Sequence, residues 1–230
     1  MDLNALKEAV INGDLKGCTV LTEVAIKAGY PPQKILNEAL VPGMEVVGEK
    51  FRCNEVYVPE VLVAARAMKK SLAMLKPLLI QTGVKPVGVA VAGTVKGDLH
   101  DIGKNLVCMM AEGAGFEVHD IGVDQSVDKF MAAAEKCKPD IIGMSALLTT
   151  TMTYMKTVID GFQAAGLTQI KMAVGGAPIS QMFADEIGAD GYGQNASAAV
   201  DLFLRLMAGI HHDGNLQDSL LAGSSVSSQG

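Results

Sequence analysis

Tryptophan is absent from this chain of 230 residues, and aromatic side chains make up only 4% of it. Positive charge is also short: 19 Lys and Arg against 25 Asp and Glu give a formal net charge of −6. General phosphate-backbone binding needs concentrated Lys and Arg, so no nucleic acid partner is expected. Cys18, Cys53, Cys108 and Cys137 lie far apart and form no Cys-x-x-Cys pair, which fits a reducing interior and argues against a zinc site. No apolar stretch is long enough to cross a bilayer, so no membrane partner is expected. Met1-Asp2-Leu3-Asn4 has neither the basic nor the apolar region of a signal peptide, and the expected compartment is cytoplasmic. What remains is an ordinary globular composition, 49% hydrophobic with 25 Gly and 13 Met. The length suits one or two domains with a sizeable core.

The hydrophobic period changes once along the chain. Leu3, Leu6 and Val10 mark one helical face, and Gly13-Asp14 breaks it, with Asp14 as a candidate N-cap. A second stripe runs to Gly29, and a third passes through Ile35, Leu36, Ala39, Leu40, Met44, Val47 and Phe51. A fourth runs from Val61 to Leu75, with Pro77 expected to end or kink it. Four stripes with short breaks predict a helical bundle over residues 1–84. From Pro86 short apolar runs, at 87–92, 117–121, 141–145, 172–175 and 190–192, alternate with helical candidates at 103–114, 126–137, 152–165, 179–187 and 196–208. Such alternation predicts an α/β domain over 85–208, a doubly wound, flavodoxin/Rossmann-like parallel sheet of five strands in the order 2-1-3-4-5. Residues 209–230, rich in Gly, Ser and Gln, are expected to form a flexible tail.

The chemistry concentrates where the first strand runs into the next helix. Gly97-Asp98-Leu99-His100-Asp101-Ile102-Gly103 sits on that loop, where an α/β sheet places its binding crevice. Asp98, two residues before His100, is close enough to accept a hydrogen bond from one ring nitrogen. The other nitrogen would then keep a free lone pair for a metal. One histidine cannot hold a bare ion tightly, but it can be the single axial ligand of a metal already held by a macrocycle. No cluster supplies the further ligands that zinc requires. A nucleotide on this loop is the weaker alternative, because Gly93 and Gly97 complete neither Gly-x-Gly-x-x-Gly nor a Walker A pattern.

Three separated signals, Asp-x-His-x-x-Gly at 98–103, Ser145-Ala146-Leu147 and Gly175-Gly176, resemble the signature of cobalamin-binding domains. Over residues 1–208 the chain is similar to the cobalamin-binding module of methionine synthase and to the corrinoid proteins of methyltransferase systems. The resemblance implies a bound cobalamin, as methylcobalamin or a related corrinoid, whose cobalt takes His100 in place of the cofactor's own lower base. In that base-off/His-on state Asp98 would tune His100, and Gly97, Leu99 and Asp101 would form the loop under the corrin. Gly103 would let the backbone approach the displaced nucleotide tail, Ser145 would reach a tail nitrogen, and Gly175 and Gly176 would leave the tail room. Leu147 and Thr149 would line the slot or the corrin edge, and Ala196 matches a further contact. Thr151 stands where methionine synthase has the serine of its ligand triad. In the segment 51–60 of the helical cap, Phe51 and Val58 match positions that shield the methyl group.

The implied function is a methyl carrier without a substrate site of its own. Its partners would be a substrate:corrinoid methyltransferase, a second methyltransferase passing the group to tetrahydrofolate or a thiol, and a reductive activator. Methanol, methylamines, glycine betaine and aryl methyl ethers are the implied donors. A cobalamin-binding subunit of another enzyme, a cobalamin sensor and a flavodoxin-like flavin binder are the alternatives. A hinge between cap and α/β domain is expected at residues 81–85.

Overall fold

The computed structural model describes residues 2–82 and 85–223, with residues 80 and 211–223 as backbone only. The N-terminal part is helical. In α1 (Leu3–Ile11) the side chain of Asp2 accepts the Asn4 N–H, and in α2 (Leu15–Lys27) Asp14 accepts that of Gly17, both at 2.9 Å. Each cap satisfies a donor left over at a helix start. The third stripe is continuous: α3 (Pro32–Ile35), a π-helical turn (Leu36–Leu40) and α4 (Val41–Arg52). Pro42 offers no N–H and its ring crowds the carbonyl four residues back, so the helix widens there. Val41 accordingly donates to the Leu36 carbonyl, five residues back.

Pro77 does not end the fourth helix; α5 runs Val58–Gln81 with the proline inside it. Leu75 and Leu79 are buried on either side of Pro77, and that packing outweighs the one hydrogen bond the ring forfeits. Of the expected hinge at 81–85, residues 83 and 84 lie outside the described residues.

The second part alternates strand and helix: β1 (Val89–Thr94), α6 (Ile102–Gly113), β2 (Glu117–Asp120), α7 (Val127–Cys137), β3 (Ile141–Ser145), α8 (Thr149–Met152), α9 (Tyr154–Ala164), β4 (Lys171–Gly175), α10 (Gln181–Ile187), β5 (Gly191–Gly193) and α11 (Ala196–Gly223). All strand pairs are parallel and their order is β2-β1-β3-β4-β5, as the alternation predicts. The first strand starts and ends two residues later than its apolar run. It continues through Gly93, where a Cβ would meet Ile121 and Phe130 at 2.8 Å. The expected helix at 152–165 starts three residues earlier and divides at Thr153. The last helix passes the expected end at 208 and runs to Gly223, whereas 224–230, the end of the expected tail, lie outside the described residues.

Two cores hold the sheet. On one face Phe130, Ile142, Met155, Ile159 and Phe162 pack under α7, α9 and α10. On the other, Ala90, Leu106, Met110, Phe116 and Phe203, under α6 and α11, join Leu6, Leu40, Met44, Met68 and Leu75 of the bundle in one continuous cluster. The buried Ser197 hydroxyl donates to the Gly48 carbonyl at 3.2 Å, and Arg52 pairs with Asp201 at 3.2 Å. Among the described residues no helix is long and apolar enough to cross a membrane.

Candidate functional site

In this strand order β1 and β3 flank the point where the winding reverses, and the loops after them meet there. The β1–α6 loop carries Asp98 and His100, and the β3–α8 loop carries Leu147 and Leu148. Asp98 ties the two together. Its side chain is wholly buried while that of His100 is 52% exposed. Carboxylate Oδ1 accepts the His100 backbone N–H at 3.0 Å and lies 2.7 Å from ring Nδ1. Oδ2 accepts the N–H of Leu147 at 2.8 Å, that of Leu148 at 3.3 Å and the Thr151 hydroxyl at 2.6 Å.

Burial opposes ionisation of Asp98. The hydrogen bonds from Thr151, Leu147 and His100 outweigh it and hold the carboxyl well below the usual carboxylate range. An ionised carboxylate only accepts, so the neutral His100 ring places its proton on Nδ1 and its lone pair on Nε2. Nε2 has no protein partner among the described residues. The loop is further set by the buried Thr94, whose hydroxyl donates to the His100 carbonyl at 3.0 Å.

Beside this loop opens a cleft of about 310 Å³ running between α6, α11 and the ends of β3, β4 and β5. Gly103, Ser145, Gly175, Gly176, Gly193 and Ala196 are among its lining residues. Bulk is excluded at Gly176: its φ is +133°, and a Cβ there would collide with the Ala146 carbonyl.

The expected site residues therefore fall into groups. Gly103, Ser145, Gly175, Gly176 and Ala196 share the cleft. Gly97, Leu99, His100 and the half-buried Asp101 lie on the loop, with Leu99 71% exposed. Leu147 and Thr149 are exposed and do not line the cleft, and Leu147 meets Asp98 through its backbone. Phe51 and Val58 are half-buried and pack against the shared core from the bundle side. Thr94 and Leu148 were not among the residues expected from sequence. Leu148 acts through main-chain N–H, which leaves no side-chain signature, and Thr94 reads as one more residue of a buried strand.

Among the described residues no group of three or more His, Cys, Asp or Glu is gathered to hold a metal ion. A lone imidazole nitrogen with a fixed tautomer suits a metal whose other positions come from a macrocycle. The glycine-walled cleft next to it has room for an elongated appendage of the same ligand. The donor set and the cradle thus fit a corrinoid.

Fold and site together define a doubly wound α/β cofactor-binding protein with a helical partner bundle. Residues 88–201 and 2–76 each match a family model described as a B12 binding domain. The chain is 43% identical over 210 residues to the dimethylamine corrinoid protein of Methanosarcina barkeri, covering 90% of this chain and 97% of that one. It is 39% identical over 197 residues to trimethylamine corrinoid protein 1 of Methanosarcina acetivorans, covering 84% and 91%. A chain of the methanol:cobalamin methyltransferase complex of M. barkeri superposes with a TM-score of 0.81 at 31% identity, covering 90% of this chain and 80% of the other. A cobalamin-binding protein from Desulfitobacterium hafniense DCB-2 gives a TM-score of 0.74 at 31% identity, covering 90% and 98%. The chain belongs to the B12-binding corrinoid proteins of methyltransferase systems, and its cofactor is a cobalamin-type corrinoid.

Proposed function

We propose that this protein is a methyl carrier that binds its corrinoid base-off/His-on, and that His100 Nε2 would hold the cobalt. The observation carrying this reading is the pair Asp98–His100: a buried carboxylate 2.7 Å from Nδ1 leaves the half-exposed ring with one usable lone pair, turned to no protein group. When bound, the corrinoid supplies a cobalt centre that accepts and releases the methyl group. The chain's own residues do the rest. Asp98 keeps the proton on Nδ1, and Thr151 keeps Asp98 ionised. Ser145 and the glycines of the cleft hold the displaced tail. Residues 1–84 act as a cap over the α/β domain of 85–208, with Phe51 and Val58 keeping water from the methyl group.

The carrier serves a substrate:corrinoid methyltransferase and a second methyltransferase that passes the group to tetrahydrofolate or a thiol, and a reductive activator is its third partner. Relatives named for dimethylamine and trimethylamine support methylamines as the source of the methyl group, and methanol is the second candidate.

The test is the absorption spectrum after loading with hydroxocobalamin. Wild type should retain the cofactor with imidazole coordination, and His100→Ala should lose that signature. An unchanged spectrum in His100→Ala refutes the ligand assignment. Transfer from partner methyltransferases charged with dimethylamine, trimethylamine or methanol then identifies the donor.

A further inference from the structure

Three non-glycine residues among those described have positive φ: Asn54, Asp124 and Lys138. Asn54 follows the end of α4 and Lys138 caps α7, where such angles commonly close a helix. Asp124 ends no helix. It lies in the β2–α7 loop at φ 55°, a conformation Asp and Asn tolerate better than other residues with a Cβ. Its position explains the exception. Asp124 Oδ1 accepts the Gly97 N–H at 2.8 Å, and the Asp124 N–H donates to the Asp98 carbonyl at 3.0 Å.

The two bonds clasp the Gly97–Asp98 segment, the last stretch of chain before Leu99 and His100. Next to them the Gln125 N–H donates to the Thr94 carbonyl at 2.9 Å, and Val95 and Gln125 form a parallel bridge. The Asp124 loop thus extends the pairing of β1 beyond the sheet. Asp98 fixes the imidazole relative to the loop after β3. Gly97, at φ 83° and without a side chain, is where the β1–α6 loop is freest to pivot.

We propose that Asp124 is a positioning residue for the cobalt ligand, clamping the Gly97–Asp98 segment and so setting the angle at which His100 is presented. The inference rests on His100 being the axial ligand and deepens that reading.

Three variants separate the hydrogen bond from the backbone angle. Asp124→Asn keeps an acceptor oxygen and tolerates the angle, Asp124→Gly keeps the angle without an acceptor, and Asp124→Ala loses both. In the apo protein, hydrogen exchange at the Gly97 amide should accelerate about tenfold in Asp124→Gly and stay near wild type in Asp124→Asn. After loading with hydroxocobalamin, the imidazole-coordinated fraction should fall in the Gly and Ala variants and be retained in Asn. If Asp124→Ala does not fold, the Gly and Asn pair carries the comparison. An Asp124→Gly protein with wild-type exchange, or with faster exchange but an undiminished imidazole-coordinated fraction, overturns the proposal. So does a folded Asn variant as impaired as Gly. A His100→Ala control in the same series keeps the two readings apart. If it retains the wild-type spectrum, the ligand assignment fails; if it loses that spectrum while Asp124→Gly does not, only the clamp fails.

Discussion

Thr151 donates its hydroxyl to Asp98 Oδ2 at 2.6 Å, which leaves Oδ1 to serve His100 alone. The carboxylate is thereby divided, one oxygen facing the loop after β3 and the other facing the histidine.

Thr151→Val keeps the shape and removes the donor, so a buried charge loses one of its partners. The expected cost is about 1–3 kcal/mol, which lowers Tm by roughly 2–4 °C per kcal/mol in a chain of this size. Thr151→Ser should restore most of it. Thermal unfolding of the apo proteins decides, and equal melting temperatures for the Val and Ser variants would rule out the hydroxyl as a support of Asp98.

Gly176→Ala meets both a collision with the Ala146 carbonyl and an unfavourable φ. Gly166→Ala meets only the second, since at φ +74° nothing lies within 4 Å of its Cβ. The Gly166 change should cost about 1–2 kcal/mol. The Gly176 change should add an overpacking cost of about 1–3 kcal/mol and reduce corrinoid retention. Chemical denaturation with parallel cofactor-binding measurements tests this. Equal losses at the two positions would show that the cleft wall yields freely.

The cysteines predict a pH dependence. Burial, seconded by Asp120, pushes the Cys108 thiol up to about 12, and burial with Asp14 pushes Cys18 up to about 11. Both fold into states that hold the proton longer than the unfolded thiol, whose value is 9.0. Their contribution to stability is therefore whole below pH 9 and declines as pH rises from there toward 11 and 12. Alkylation at pH 8 should label exposed Cys53 first and leave Cys18 and Cys108 unmodified until the protein unfolds. Mass spectrometry of labelled peptides checks the order, and early labelling of Cys108 would contradict it.

The alternation of apolar runs and helical stretches made the five strands and their order legible, because parallel strands covered on both faces leave continuous hydrophobic signals. Boundaries were less legible where packing overrode local preference. Pro77 stays within a helix because its neighbours are buried, and β1 extends through Gly93 because Ile121 and Phe130 close over it. At the site, the Asp98–His100 spacing could be read directly as a hydrogen bond. Asp124 could not, since its contacts go to the backbone of a loop distant in sequence. The turn Gly122-Val123-Asp124 after a strand was the available hint, and turns of that composition are common. Leu147 was expected to act through its side chain, whereas its main-chain N–H makes the contact with Asp98.

The unequal faces of the sheet bear on how the chain can be divided. Beneath α7, α9 and α10 the packing is self-sufficient, whereas α6 and α11 share theirs with the N-terminal helices. Severing the polypeptide between the end of α5 at Gln81 and the start of β1 at Val89 would strip grease from both parts at once, so neither fragment should remain dispersed by itself. Detaching the N-terminal helices would uncover Met44 and Met110 together, so any movement between the two parts is expected to keep that shared packing closed.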